Sequence, residues 1–166
     1  ASLTVKLNAL SDPILMNKLS EAARNGVEIN LIIRGICCML TENNKFKKSI
    51  HAISIIDEYL EHARVFVFNN GGNPKIFISS ADWMPRNLDY RLEVCCPVLD
   101  HNLKQEMLDM LQIQLSDNTR ARILDNQLQN NYVTNSQKPV RSQIETYDYL
   151  LAKHTVKNSK VDAIKF

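Results

Sequence analysis

The chain has 166 residues, enough for one domain with its own core. Its 45% hydrophobic and 23% charged residues are those of an ordinary globular domain and exclude wholesale disorder, and a net charge of +2 calls for neither nucleic acid nor an anionic membrane as partner. No apolar run approaches the ~20 residues of a membrane-spanning helix, and no signal-peptide pattern opens the chain.

The first expected element is a strand over residues 3–8, whose alternation of apolar and polar residues is that of a half-buried strand. Because the chain starts directly on it, the expectation is a piece of a longer protein. Ser11-Asp12-Pro13 then supplies a capping residue followed by proline at an early helical position. Ile14, Leu15, Leu19, Ala22 and Ala23 form a helical stripe that Gly26 ends. Residues 27–33 are almost continuously apolar, as in a central strand covered on both faces. This β-α-β order predicts parallel pairing.

Residues 41–49 read as a lysine-bearing loop, and the spacing over 50–62 predicts a helix ending at His62. Strands are expected over 65–68 and 75–79 around the turn Asn69-Asn70-Gly71-Gly72-Asn73-Pro74, with a further strand over 92–98. Residues 103–115 and 140–153 predict helices, the Asn- and Gln-rich stretch 127–138 a loop, and residues 157–166 a loose tail. The fold class expected is a single mixed α/β domain over residues 1–156. Cys37-Cys38 and Cys95-Cys96 are adjacent pairs in apolar text, poorly spaced for zinc. They read as buried free thiols of a reducing cytosol, with a four-thiolate metal site as the alternative.

Several polar residues stand where a site would form. Arg34 follows Leu31-Ile32-Ile33 at the carboxyl end of a central strand, the edge at which open α/β sheets bind ligands, and its planar fork suits phosphate. Its plainer reading is a surface or ion-paired arginine. His62 suits a general acid or a phosphate ligand, or simply a helix-end histidine favoured by the dipole. His51, His101 and His154 read as surface residues. The segment KIFISSADWMPRNLDYRLEV crowds Lys75, Ser79, Ser80, Asp82, Arg86, Asn87, Arg91 and Glu93 between two apolar runs, enough donors to surround an anion. Asp82 and Glu93 suit the role of orienting those donors. No Walker loop, H-E-x-x-H or G-x-S-x-G pattern is present.

LIIRGICCM, ISIIDEYLEHARVFVFNNGG and PKIFISSADWMPRNLDYRLEVCCPVLD closely resemble the last domain of the bacterial polyphosphate kinase family, over about residues 3–151. The resemblance implies a phospholipase D-like mixed sheet flanked by helices, one of two related domains that share a phosphate-handling tunnel. KIFISSADW is similar to the K-x₄-D and G-S-A-N portions of the phospholipase D motif, but Asn73 stands where its nucleophilic histidine belongs. It also implies an ATP:polyphosphate phosphotransferase whose phosphohistidine lies in the preceding domain. Arg34 then matches an arginine that binds ATP phosphates, and His62 a second active-site histidine that binds ATP and assists transfer. Lys75, Ser80, Asp82, Arg86 and Arg91 are carried as channel-wall or scaffold residues.

Further implications are ATP/ADP and polyphosphate as substrates and magnesium held by ligands outside this segment, with none mapped inside it. Upstream domains of the same chain, a dimer or tetramer, and a cytoplasmic location with or without membrane association complete them. On this reading the isolated fragment is inactive. The competing readings are a phospholipase D-like phosphodiesterase and a non-catalytic polyanion-binding module.

Overall fold

The computed structural model describes residues 1–162. Its frame is one seven-stranded mixed sheet: β1 (Ser2–Leu7), β2 (Glu28–Ile33), β3 (His51–Ile55), β4 (Val65–Phe68), β5 (Lys75–Ser79), β6 (Cys95–Val98) and β7 (Ala121–Ile123). The strand order is β6-β5-β4-β1-β2-β3-β7. β1, β2 and β3 run parallel, and every other neighbouring pair is antiparallel. The mixed sheet and its flanking helices are those expected of a phospholipase D-like domain.

Helix α1 (Pro13–Arg24) starts as its sequence dictates: Asp12 caps it, its side chain accepting from the Leu15 amide at 2.8 Å, and Pro13 needs no partner for its missing N–H. Gly26, at φ +85°, turns the chain out of the helix while Val27 N–H closes on the Ala22 carbonyl at 3.0 Å. Leu19 and Ala23 from α1 pack on Val5, Leu7, Ile29, Leu31 and Ile33 of the sheet. On the opposite face, Leu111 of α3 (His101–Leu115) packs with Ile32, Ile53, Ile55, Val65, Val67 and Ile76. The last helix, α4 (Ser142–Asp162), contacts α3. The tail expected to be loose, 157–166, begins inside α4, and its last four residues lie outside those described.

Three expectations are corrected. Residues 50–62 are not a helix: 51–55 form β3, and an irregular loop follows to Arg64. A short, β-branched run matches both periods, and here pairing on both sides, with β2 and β7, decides for strand. β1 is not half-buried, because α3 covers its polar face and buries Lys6. The cysteines are free but not buried: Cys95 and Cys96 are exposed because β6 lies at the sheet edge, and in the irregular segment after β2 Cys38 is exposed and Cys37 half-buried. That edge position also accommodates Pro97, and the strand expected over 92–98 shortens to Cys95–Val98. A short helix, α2 (Pro85–Tyr90), and β7 complete the elements. The strip Leu88, Tyr90, Leu92, Val94 beside β6 is exposed, Leu92 fully.

Candidate functional site

β1, β2 and β3 end at one edge of the sheet, where β4 begins and β5 ends. Asn8, Arg34, the loop 56–64 and the loop 80–84 therefore emerge together. Arg34 N–H is held by the Leu7 carbonyl at 3.1 Å, and its own carbonyl accepts from Ser54 Oγ at 2.9 Å, so its backbone is fixed on both sides. The guanidinium forms no hydrogen bond or ion pair with a described residue. It lines a cleft of about 430 Å³ with Gly35 and residues 55–60. The close approach at Gly35 is real: its N–H donates to the Asn8 carbonyl at 2.9 Å, and a Cβ would lie 3.1 Å from that oxygen.

The loop carrying His62 is fastened along its length. Arg141 grips Asp57 with two 2.8 Å bonds, and Arg120 adds a contact at 3.4 Å, which together hold the Asp57 carboxyl below its ordinary value. Gln143 exchanges two hydrogen bonds with the Tyr59 backbone, at 2.9 and 2.8 Å. Glu61 pairs with Lys6 and accepts from Gln114 at 3.0 Å and Gln143 at 3.1 Å. Arg64 pairs with Asp82 at 3.0 Å, while its Nη2 lies 3.3 Å from His62 Nε2. The His62 ring itself is exposed, in a loop and not at a helix end. His51 and His101 are exposed as expected; the side chain of His154 lies outside the described residues.

Asp82 is a buried scaffold group. Burial opposes its ionisation, but Arg64 and the amides of Asn8 (2.8 Å) and Ala9 (3.2 Å) hold its carboxyl below the ordinary value. Ser80 and Asn87 both donate to Glu93, the latter at 2.6 Å, which ties the loop after β5 to the segment before β6. Arg86 and Arg91 are exposed at the start and end of α2. Lys75 is not brought to this edge: it pairs with Phe68, beside Leu3, at the opposite end of the strands.

The sheet thus gathers Arg34, His62, Ser80 and Asp82 at one edge and leaves Lys75 outside. Sequence reading missed Lys6, Glu61 and Arg64. Glu61 and Arg64 flank His62, but their partners stand 55 and 18 residues away. Among the described residues, no group of three or more His, Cys, Asp or Glu side chains could hold a metal. The carboxylates at this edge are already committed, Asp57 to arginines and Asp82 to Arg64, so this segment does not fit the role of a magnesium cage.

The model of the family described as polyphosphate kinase C-terminal domain 2 matches residues 1–143. The polyphosphate kinase of Escherichia coli (strain K12) is 46% identical over 151 residues, 90% of this chain and 22% of that protein. That of Vibrio vulnificus (strain YJ016) is 49% identical over 160 residues, 95% of this chain and 23% of that protein. The crystal structure of polyphosphate kinase from Porphyromonas gingivalis superposes with a TM-score of 0.90 at 46% identity, covering 93% of this chain and 24% of that one. The chain therefore spans under a quarter of the length of these relatives. A family model that accounts for both the β-α-β half and the His62 and Asp82 loops leaves one conclusion: the chain belongs to the polyphosphate kinase C-terminal domain 2 family.

Proposed function

We propose that this chain is the C-terminal part of the catalytic core of an ATP:polyphosphate phosphotransferase, with residues 1–156 as its folding unit. In this reading a histidine of the preceding domain attacks the γ-phosphorus of ATP. An N–P bond forms, the β,γ-bridging P–O bond breaks, and ADP leaves. A terminal polyphosphate oxygen then attacks the phosphohistidine and frees the imidazole, and both steps reverse. Arg34 donates to ATP phosphate oxygens, and His62 binds ATP and assists transfer. Charge spreads over the phosphoryl oxygens during transfer, so donors already in place stabilise it without reorganisation. Magnesium, bound by groups outside this segment, would supply further positive charge there. Arg86 and Arg91 line the channel, and Ser80 and Asp82 shape its wall.

The observation that carries this reading is Arg34: a guanidinium without a partner among the described residues, on a fixed backbone, at the cleft on the strands' carboxyl edge. The exposed strip Leu88, Tyr90, Leu92, Val94 supports packing against an upstream domain of the same chain. On the family reading the whole protein is then a dimer or tetramer in the cytoplasm, with or without membrane association. Among the described residues no helix is long and apolar enough to cross a membrane. The diesterase alternative loses ground with Lys75 at the opposite edge and Asn73 two residues before it.

The test uses the full-length parent protein with ATP and magnesium, following acid-labile protein phosphate and polyphosphate. Wild type forms both, and His62→Ala forms polyphosphate slowly or not at all. Equal rates in the two would remove His62 from the chemistry. No polyphosphate from wild type would refute the phosphotransferase reading.

A further inference from the structure

Lys6 is a charge buried where the core has no use for one. It projects from β1 beneath α3, beside Val65, Met107 and Leu111, and is 6% exposed. Burial pulls its ammonium below the ordinary value, against the opposing pull of Glu61. An unpaired ammonium there would be strongly unfavourable. Glu61 accepts from it, and Lys6 Nζ also donates to Gln114 Oε1 at 2.7 Å. Gln114 Nε2 returns to Glu61 at 3.0 Å, and Gln143 binds the second carboxylate oxygen at 3.1 Å. Donors from β1, α3 and α4 thus converge on a single side chain of an irregular loop. Replacing a buried ion pair by apolar residues is often neutral or stabilising, so stability alone does not explain this one. The next residue is His62, and Arg64 on its other side is locked to Asp82.

We infer that the Lys6–Glu61 pair, with Gln114 and Gln143, is a positioning device for His62. It pins the loop backbone against three elements while the imidazole stays exposed. What His62 does once positioned rests on the phosphotransferase reading above; the pinning is measurable without it. Catalytic groups misplaced by about 1 Å lose about 100-fold in rate, so a loop with no hydrogen-bonded repeat of its own gains most from such anchoring.

The experiment uses the full-length parent and the charge-free variant Lys6→Met/Glu61→Gln, which keeps the side-chain volumes. Polyphosphate synthesis should fall about 10- to 100-fold in kcat, with KM for ATP within about two-fold. Added to His62→Ala, the same change should cost no further activity beyond about two-fold, because the two act through one group. Amide exchange of a peptide spanning 56–64, read by mass spectrometry, should speed about ten-fold or more while the core strands keep their rates. Unchanged kcat, losses that multiply with His62→Ala, or unchanged exchange would each overturn the inference. If wild type makes no polyphosphate, the phosphotransferase reading falls and the exchange comparison alone decides the pinning. Should the double variant not fold, Gln114→Leu removes the α3 donor from the same carboxylate and is held to the same readings.

Discussion

Arg64 and the buried Asp82 form an ion pair, 3.0 Å between Nη2 and Oδ2, that joins the start of β4 to the loop after β5, with the same Nη2 3.3 Å from His62 Nε2. Asp82 also accepts the amides of Asn8 and Ala9, so one carboxylate closes three chain segments at the carboxyl edge. Asp82→Ala takes from the part-buried Arg64 guanidinium its carboxylate partner and leaves the Asn8 and Ala9 amides without theirs. It should destabilise the domain by about 3 kcal/mol or more, read as the shift in urea midpoint at constant slope. A loss below about 1 kcal/mol would mean that water takes over the acceptor role.

Acid should find the same group. The folded-state pKa of Asp82 lies below its unfolded value of 3.8, as does that of Asp117. Both therefore add stability above that value and lose it as pH falls through their folded pKa values. The share of the unfolding free energy owed to these two carboxylates should be level from about pH 7 to 5 and fall steeply below about pH 4. Asp82→Asn should make that fall shallower; an identical pH profile would remove Asp82 from the acid transition.

Asp117 is fully buried and takes four backbone amides: Thr119 at 3.0 Å, Arg120 at 2.7 Å, Ala121 at 3.1 Å and Ser142 at 2.8 Å. It stitches the end of α3, the start of β7 and the start of α4. Asp117→Ala should lower stability by about 3 kcal/mol or more, and Asp117→Asn by less, because an amide oxygen still accepts. The Tm order wild type, Asn, Ala checks this; equal Tm for Asn and Ala would show that the lost charge, not the lost acceptors, decides.

Arg34 should separate activity from stability. With no partner among the described residues, Arg34→Ala should leave unfolding free energy within about 0.5 kcal/mol. In the full-length parent it should reduce kcat/KM for ATP about 10- to 100-fold, the worth of hydrogen bonds to a charged group. Arg34→Lys should recover only part, since an ammonium does not reproduce a planar two-pronged contact. Full recovery with lysine would show that charge alone suffices.

Much of this fold is legible locally. The Asp12-Pro13 start and the Gly26 stop of α1 act through backbone groups within a few residues, so the sequence states them directly. The apolar text of β2 is that of a strand covered on both faces, and α1 and α3 cover it. Arg34 and His62 stood out by position and by resemblance, and both lie at the carboxyl edge. The stretch 50–62 did not read correctly, because Ile50, Ile53 and Ser54 satisfy a helical stripe as well as a buried strand, and only β2 and β7 on either side choose.

The sequence by itself determined the strand and helix starts whose signals are local, the β-α-β order, the position of Arg34 and the membership in a family. The tertiary structure alone decided which side chains meet. Lys6 reads as the outward residue of an alternating strand until α3 closes over it, and its partner Glu61 is 55 positions away. Lys75 reads as a site residue until the antiparallel pairing of β4 and β5 carries it to the far edge. Burial and pairing are properties of distances between remote segments, which a sequence pattern of period two or 3.6 does not encode.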